Sequence, residues 1–311
     1  MPHSTLIGIA ITAVTAAVLV GASLRRKRYP FPAYGLVGLA VLVLAELMML
    51  RHIWPVDVYF TPIAWTAYLL ISDALVLSIR GRSRLHDEPR HFLGVALLSL
   101  PLWLVFEAYN LRLANWTYVG VPMSWPAALL GYCWSFATIT PAIFETADLV
   151  AALGWFRPAT PLRFSQSAHW FMMVLGAAFL LVPLVIPQHL AAYLFGLVWA
   201  GFVLLLDPIN QLLGLPSLLA DLAQGRREWL WSLVAAGWVC GWFWEFWNYW
   251  AGAKWHYIFP MFQDWKIFEM PAPGYLGFLP FALECFVMYV SAIGLLRTFP
   301  MLRSRQERTA R

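Results

Sequence analysis

Four glutamates stand out because of where they lie. Glu107, Glu145, Glu245 and Glu284 all fall inside or at the edge of long apolar stretches. A carboxylate at the bilayer centre costs about 2.5–3.5 kcal/mol on insertion scales. Residues retained at that cost are functional candidates, and a carboxyl held in its protonated form in an apolar cavity can donate a proton. Two carboxyls close together can share one. Glu46, Asp73 and Asp148 lie in similar stretches, and no Lys or Arg is expected at comparable depth to pair with any of these acids. Asn110 and Asn248 follow Glu107 and Glu245 by three residues, so each Glu and Asn share a helix face.

These residues recur in order. Glu107 matches Glu245 and Asn110 matches Asn248 at an offset of 138, while Trp116 matches Trp255 and Tyr118 matches Tyr257 at 139. The same offset of 139 carries on to Pro141/Pro280 and Glu145/Glu284, and Asp73 pairs with Asp207 upstream. Each half therefore reads E-x-x-N, then W-x-Y, then P-x-x-x-E, with 23 residues from Tyr to Pro in both. The matched positions are polar or aromatic, so common Leu or Ala content does not produce them. Pro141 and Pro280 are expected to kink their helices and turn the acids toward an internal cavity.

The elements that must carry this constellation are membrane helices. Of 311 residues, 61% are apolar and 12% charged, against about 25% charged in a soluble domain. A span needs about 20 apolar residues. Nine stretches qualify: 6–23, 34–49, 59–79, 92–111, 125–155, 168–186, 190–206, 228–250 and 274–299. The expected fold is an all-α polytopic bundle. It comprises an N-terminal helix and basic loop (1–30), a first four-helix repeat (31–160), a second (161–300) and a basic tail (301–311). Basic residues cluster after the first, third, fifth and seventh stretches (25–28, 80–90, 157–163, 226–227) and in the tail. The positive-inside rule then predicts an uncleaved first helix, an outside N-terminus and a cytoplasmic C-terminus in the cell's inner membrane. An even number of helices per repeat gives both repeats the same orientation and puts the site between them. Residues 216–225 are expected at the inner interface.

A plainer reading exists for each group. The Glu/Asn pairs would serve as interhelical glue, Asp73 and Asp207 as helix-end caps, and Trp116 and Trp255 as part of an interfacial belt. Belt duty does not account for residues 242–250, which surround Glu245 with aromatics including Trp244. Phe281 lies beside the second P-x-x-x-E element, as Phe136 and Phe144 lie beside the first. Aromatic faces attract cations by about 0.5–2 kcal/mol each, which suits chemistry through a carbocation as well as plain lipid binding. Cys133, Cys240 and Cys285 have no metal spacing. No phosphate loop, nucleophile elbow or His-rich metal set is present. The expectation is no metal, no cofactor and no nucleic-acid partner.

The order W-x-Y, a hydrophobic interval, then a proline-anchored acid in an apolar aromatic run resembles the membrane-embedded lycopene cyclase domain of the heterodimeric and fused type. The matching positions are Trp116, Tyr118, Pro141 and Glu145, then Trp255, Tyr257, Pro280 and Glu284. Those cyclases carry two adjacent acids after the proline, and this chain carries one acid four residues on. The resemblance implies a redox-neutral, proton-initiated cyclisation or isomerisation of an isoprenoid or carotenoid polyene in the bilayer. In such a reaction Glu284 or Glu145 would protonate a terminal alkene, and Glu245 or Glu107 would remove the final proton or position the acid. Asn110, Asn248, Trp116, Tyr118, Trp255, Tyr257, Trp244 and Phe281 would contact the substrate. The same residues also fit a proton-coupled transporter or channel, and a structural assembly protein whose acids only join helices.

Overall fold

The computed structural model describes residues 3–298, so the basic tail expected at 301–311 lies outside the described residues. The chain is mostly helical. Its helices are α1 (His3–Arg26), α2 (Ala33–Leu50), α3 (Phe60–Arg80), the short α4 (Arg84–Asp87), α5 (Pro89–Leu113) and α6 (Trp125–Leu153). They continue with α7 (Gln166–Val185), the short α8 (Gln188–Ala191), α9 (Phe195–Leu212), the short α10 (Leu218–Ala223), α11 (Glu228–Trp250) and α12 (Phe278–Thr298). Four short strands are β1 (Trp116–Val119), β2 (Lys254–Tyr257), β3 (Lys266–Ile267) and β4 (Met270–Pro271), and a 3₁₀ turn at Ala272–Gly277 leads into α12.

Eight of the described helices are long and apolar enough to cross a membrane, which marks a multi-pass membrane protein. The expected eighth stretch, α11, has the length at 23 residues but is absent from that group of eight. Much of α11 is buried among other helices rather than turned outward, so its surroundings do not require an apolar surface all round. The seventh stretch begins and ends later than its hydropathy suggests. Its helix runs on through Asp207 and Pro208 to Leu212, because the Asp207 carboxylate turns back onto Ser217, Leu218 and Leu219, whose donors satisfy it locally.

The same contacts occur twice. A Cβ on Gly38 would lie 2.9 Å from the Ala67 carbonyl oxygen, and one on Gly176 would lie 2.8 Å from that of Gly201. Glycine is required where α2 meets α3 and where α7 meets α9 because the backbones touch there. Asp73 accepts from Ser83 Oγ at 2.8 Å and from the Leu85 amide at 2.9 Å. Asp207 accepts from Ser217 Oγ at 3.1 Å and from the Leu218 amide at 2.8 Å. Both aspartates thus cap the short helix that follows their own span, which is the plainer reading of the two. At this same end Arg84 pairs with Asp148, against the expectation that no Arg would reach these acids. Arg84 folds back from α4 with its guanidinium 5.4 Å from the Phe144 ring centre. Burial works against the Arg84 charge, and Asp148 more than offsets it.

The opposite end of the bundle carries the strands. β1 and β2 pair antiparallel, with Trp116 opposite Tyr257, Thr117 opposite His256 and Tyr118 opposite Trp255. Exchanging each residue for its counterpart 139 positions away leaves this register unchanged. A local two-fold axis therefore passes between Thr117 and His256. The W-x-Y segments are the two strands.

The match stops between the strands and the last helix of each stretch. Residues 125–140 lie in α6, which has 29 residues. The corresponding residues form β3, β4 and the 3₁₀ turn, and α12 has 21 residues. Pro271, Pro273 and Gly274 stand where α6 has helix-compatible residues. Pro141 lies inside α6, whereas Pro280 lies in the first turn of α12. There its missing N–H costs nothing, so Pro280 starts a helix rather than kinking one.

Candidate functional site

Each strand is fixed by an asparagine. Asn248 donates from Nδ2 to the Trp255 carbonyl at 2.9 Å and accepts from the Trp255 amide at 2.9 Å. Asn110 donates to the Trp116 carbonyl at 2.9 Å and accepts from the Asn115 and Trp116 amides at 2.8 and 3.1 Å. The amide side chain offers one donor and one acceptor, as a neighbouring strand would, and satisfies the open edge. Asn110 and Asn248 thus hold backbone, and neither is on the cavity wall described below.

With the strands fixed, the residues of W-x-Y turn toward their glutamates. Tyr118 donates to Glu107 Oε1 at 2.6 Å, and the same oxygen receives Trp103 Nε1 at 2.9 Å and Trp116 Nε1 at 3.3 Å. Tyr257 lies 2.9 Å from Glu245 Oε1, with the phenol donating if the carboxyl is ionised. Trp255 Nε1 donates to the Tyr257 hydroxyl at 3.0 Å. Burial, followed by the charge of Glu107, pushes the Tyr118 phenol well above its ordinary pKa. Burial and Glu245 do the same to Tyr257. Both phenols keep their protons throughout the neutral range.

These hydroxyl–carboxyl pairs border a cavity of about 500 Å³ between the two stretches. That volume falls within the ~300–1,000 Å³ of small-molecule sites. Of the residues singled out from sequence, Trp116, Tyr118, Trp244, Trp255, Tyr257 and Phe281 are on its wall. The wall also takes Tyr132 and Ser135 from the first turns of α6, and Pro271, Pro273 and Gly274 from the unwound counterpart. Among the described residues, none of the four glutamates is on the wall. Glu107 reaches it through Trp103, Trp116 and Tyr118, and Glu245 through Tyr257. Glu145 and Glu284 are fully buried elsewhere, with neither carboxyl oxygen hydrogen-bonded.

Several residues on or near the wall escaped the sequence reading. Trp103 binds Glu107, and its position four residues earlier on the same helix face was the available signal. Trp65 and Trp199 line the cavity but read as ordinary apolar helix positions. Beside β2, Glu269 holds Lys254 at 3.1 Å and His256 Nδ1 at 2.7 Å. Only the folding of the β3–β4 segment brings Glu269 there. Among the described residues no group of three or more His, Cys, Asp or Glu could hold a metal ion.

No family model matches this chain, and neither the curated proteins nor the solved structures contain a match to it.

Proposed function

We propose that this protein is a membrane enzyme that performs redox-neutral acid–base chemistry on an apolar isoprenoid or polyene. The observation that carries the reading is the aromatic cavity with one tyrosine hydroxyl from each stretch on its wall and a glutamate behind each hydroxyl. A polyene end group fits a cavity of about 500 Å³. Indole and phenyl faces around it stabilise positive charge on carbon by about 0.5–2 kcal/mol each. Glu107 and Glu245 are the acid–base residues of this reading, acting through Tyr118 and Tyr257. The resemblance to membrane lycopene cyclases points the same way: cyclisation or double-bond isomerisation of a carotenoid-like chain.

The same proposal includes nine spans with the N-terminus outside, set in the inner membrane, and two tandem four-helix units after α1. The doubled glycine contacts, the doubled aspartate caps and the self-matching β1–β2 register support the two units. The test is co-expression with linear polyene precursors and chromatography of the pigments. Wild type is expected to give a product of unchanged mass and altered retention. Tyr257→Phe and Glu245→Gln are expected to lose it. Unchanged pigments with every precursor, in wild type as in the variants, defeat the proposal.

One observation favours a second reading. Glu145 and Glu284 hold matching positions, fully buried and without hydrogen-bond partners, as proton-relay residues of a transporter would. Proton flux in liposomes that Glu145→Gln and Glu284→Gln abolish would select it.

A further inference from the structure

The two hydroxyl–carboxyl pairs occupy matching positions, but their surroundings have diverged. Glu107 Oε1 takes three donors, from Trp103, Trp116 and Tyr118. Glu245 is fully buried, its Oε1 takes Tyr257 with the Trp255 indole also close to the carboxyl, and its Oε2 has no partner. The sequence explains the difference. The counterpart of Trp103 is Gly241, and a side chain there would run into the Phe278 ring at the start of α12. The donor is therefore missing from the second pair because α12 begins against α11 at that point. Each indole lies near both members of its pair, but its direct bond differs: Trp116 Nε1 donates to the carboxylate at 3.3 Å, and Trp255 Nε1 to the hydroxyl at 3.0 Å.

We propose that the duplicated pairs have divided the work, Glu245 with Tyr257 giving the proton and Glu107 with Tyr118 taking it; this rests on reading the cavity as an acid–base site. A carboxylate that receives three N–H and O–H donors is held as the anion. A carboxyl with fewer direct donors and an orphaned oxygen in a dry site is held neutral far more cheaply. Hydrogen placement then follows. The Tyr257 oxygen accepts from Trp255 Nε1 and from the Glu245 O–H, which leaves its own O–H free for the cavity. Tyr118 directs its O–H to Glu107, and its oxygen, with the Trp103 and Trp116 indoles beside it, keeps the acceptor role on the cavity side. One wall presents a donor and the other an acceptor.

The chemistry balances without an oxidant, reductant or co-reactant. In the first step the Tyr257 proton moves to a substrate carbon as a π pair becomes the new C–H bond. The Glu245 proton replaces it on the tyrosine oxygen, and the adjacent carbon becomes cationic. In the last step a C–H pair next to the cation becomes the new C=C bond. Its proton passes to the Tyr118 oxygen as the Tyr118 proton moves to Glu107. One proton has entered and one has left, and return of a proton from Glu107 to Glu245 resets the site.

Infrared spectroscopy of the substrate-free protein in lipid nanodiscs tests the division directly. The carboxylic C=O band reports protonated carboxyls and disappears on ionisation. Glu245→Gln is expected to remove the intensity of one such group, and Glu107→Gln to remove none. Trp103→Phe, which takes a donor from Glu107, is expected to add intensity. Tyr257→Phe is expected to shift the Glu245 band without abolishing it, which tests the assignment should Glu245→Gln not fold. Loss of carboxylic intensity in Glu107→Gln, or no loss in Glu245→Gln, overturns the division of roles. Because no turnover is involved, failure here leaves the pigment result standing, and unchanged pigments leave the infrared result standing.

Discussion

Asn248→Ala separates a strand clamp from a substrate ligand. Asn248 is fully buried, and its amide makes two bonds of 2.9 Å to the backbone of Trp255. Alanine leaves that N–H and that carbonyl without partners, and an orphaned buried polar group costs about 1–3 kcal/mol. Some water will reach the end of the bundle, so a loss of about 2–4 kcal/mol is expected. Asn110 makes the matching bonds but is half-buried, so Asn110→Ala is expected to lose only about 1–2 kcal/mol. Asn248→Asp keeps the acceptor for the Trp255 amide and loses the donor, and should fall between wild type and Asn248→Ala. The assay is denaturant unfolding of the ligand-free protein in mild detergent, followed by tryptophan fluorescence. If Asn248→Ala unfolds within about 0.5 kcal/mol of wild type yet loses substrate binding, Asn248 is a ligand residue and the clamp reasoning fails.

Three further outcomes follow from the same contacts. Phe281 is 5% exposed and has ring centres of Trp103, Phe106 and Trp244 at 6.0, 6.0 and 5.6 Å. Phe281→Ala should cost about 2–4 kcal/mol, below the usual range for buried Phe because one side already faces the cavity; the same unfolding assay reads it. Asp207→Ala leaves Ser217 Oγ and the Leu218 and Leu219 amides without their acceptor. It should cost about 2–4 kcal/mol, with Asp207→Asn intermediate in a thermal melt. The raised pKa values of Tyr118 and Tyr257 set an alkaline limit. Unfolded tyrosine loses its proton near pH ~10 while the folded phenols keep theirs, so the folded state binds more protons and stability falls as pH rises past that point. Below it the contribution is fully present. Unfolding midpoints from pH 8 to 11 should show a shallower alkaline loss in the Tyr118→Phe/Tyr257→Phe double variant than in wild type.

Composition made the membrane class legible, and hydropathy located most of the helices, because a span must be apolar wherever it faces lipid. Hydropathy failed at α9, where Asp207 interrupts the apolar run but is capped by the chain that follows it. The repeated motifs single out Trp116, Tyr118, Trp255 and Tyr257, which lie on the cavity wall. They could not show that Asn110 and Asn248 bind backbone, since E-x-x-N on one helix face says nothing about a strand returning to that face. They also point Glu145 and Glu284 at the cavity through kinks expected at Pro141 and Pro280, whereas Pro280 lies in the first turn of α12 and neither acid is on the wall.

The interval after W-x-Y explains why the cavity is asymmetric. In each half the proline ahead of the deep acid stands 23 positions after the tyrosine of W-x-Y. In the first, most of the intervening residues wind into α6, and Tyr132 and Ser135 project from its opening turns to the cavity wall. In the second, Pro271, Pro273 and Gly274 keep the chain unwound until Phe278. The same start point packs Phe278 over Gly241 and removes the partner that Trp103 supplies to Glu107. A strictly two-fold arrangement would present identical groups on both sides of a substrate and could not assign one to give a proton and the other to take it. A few helix-breaking residues in one copy shape the cavity and, through Gly241, make its two acids unequal.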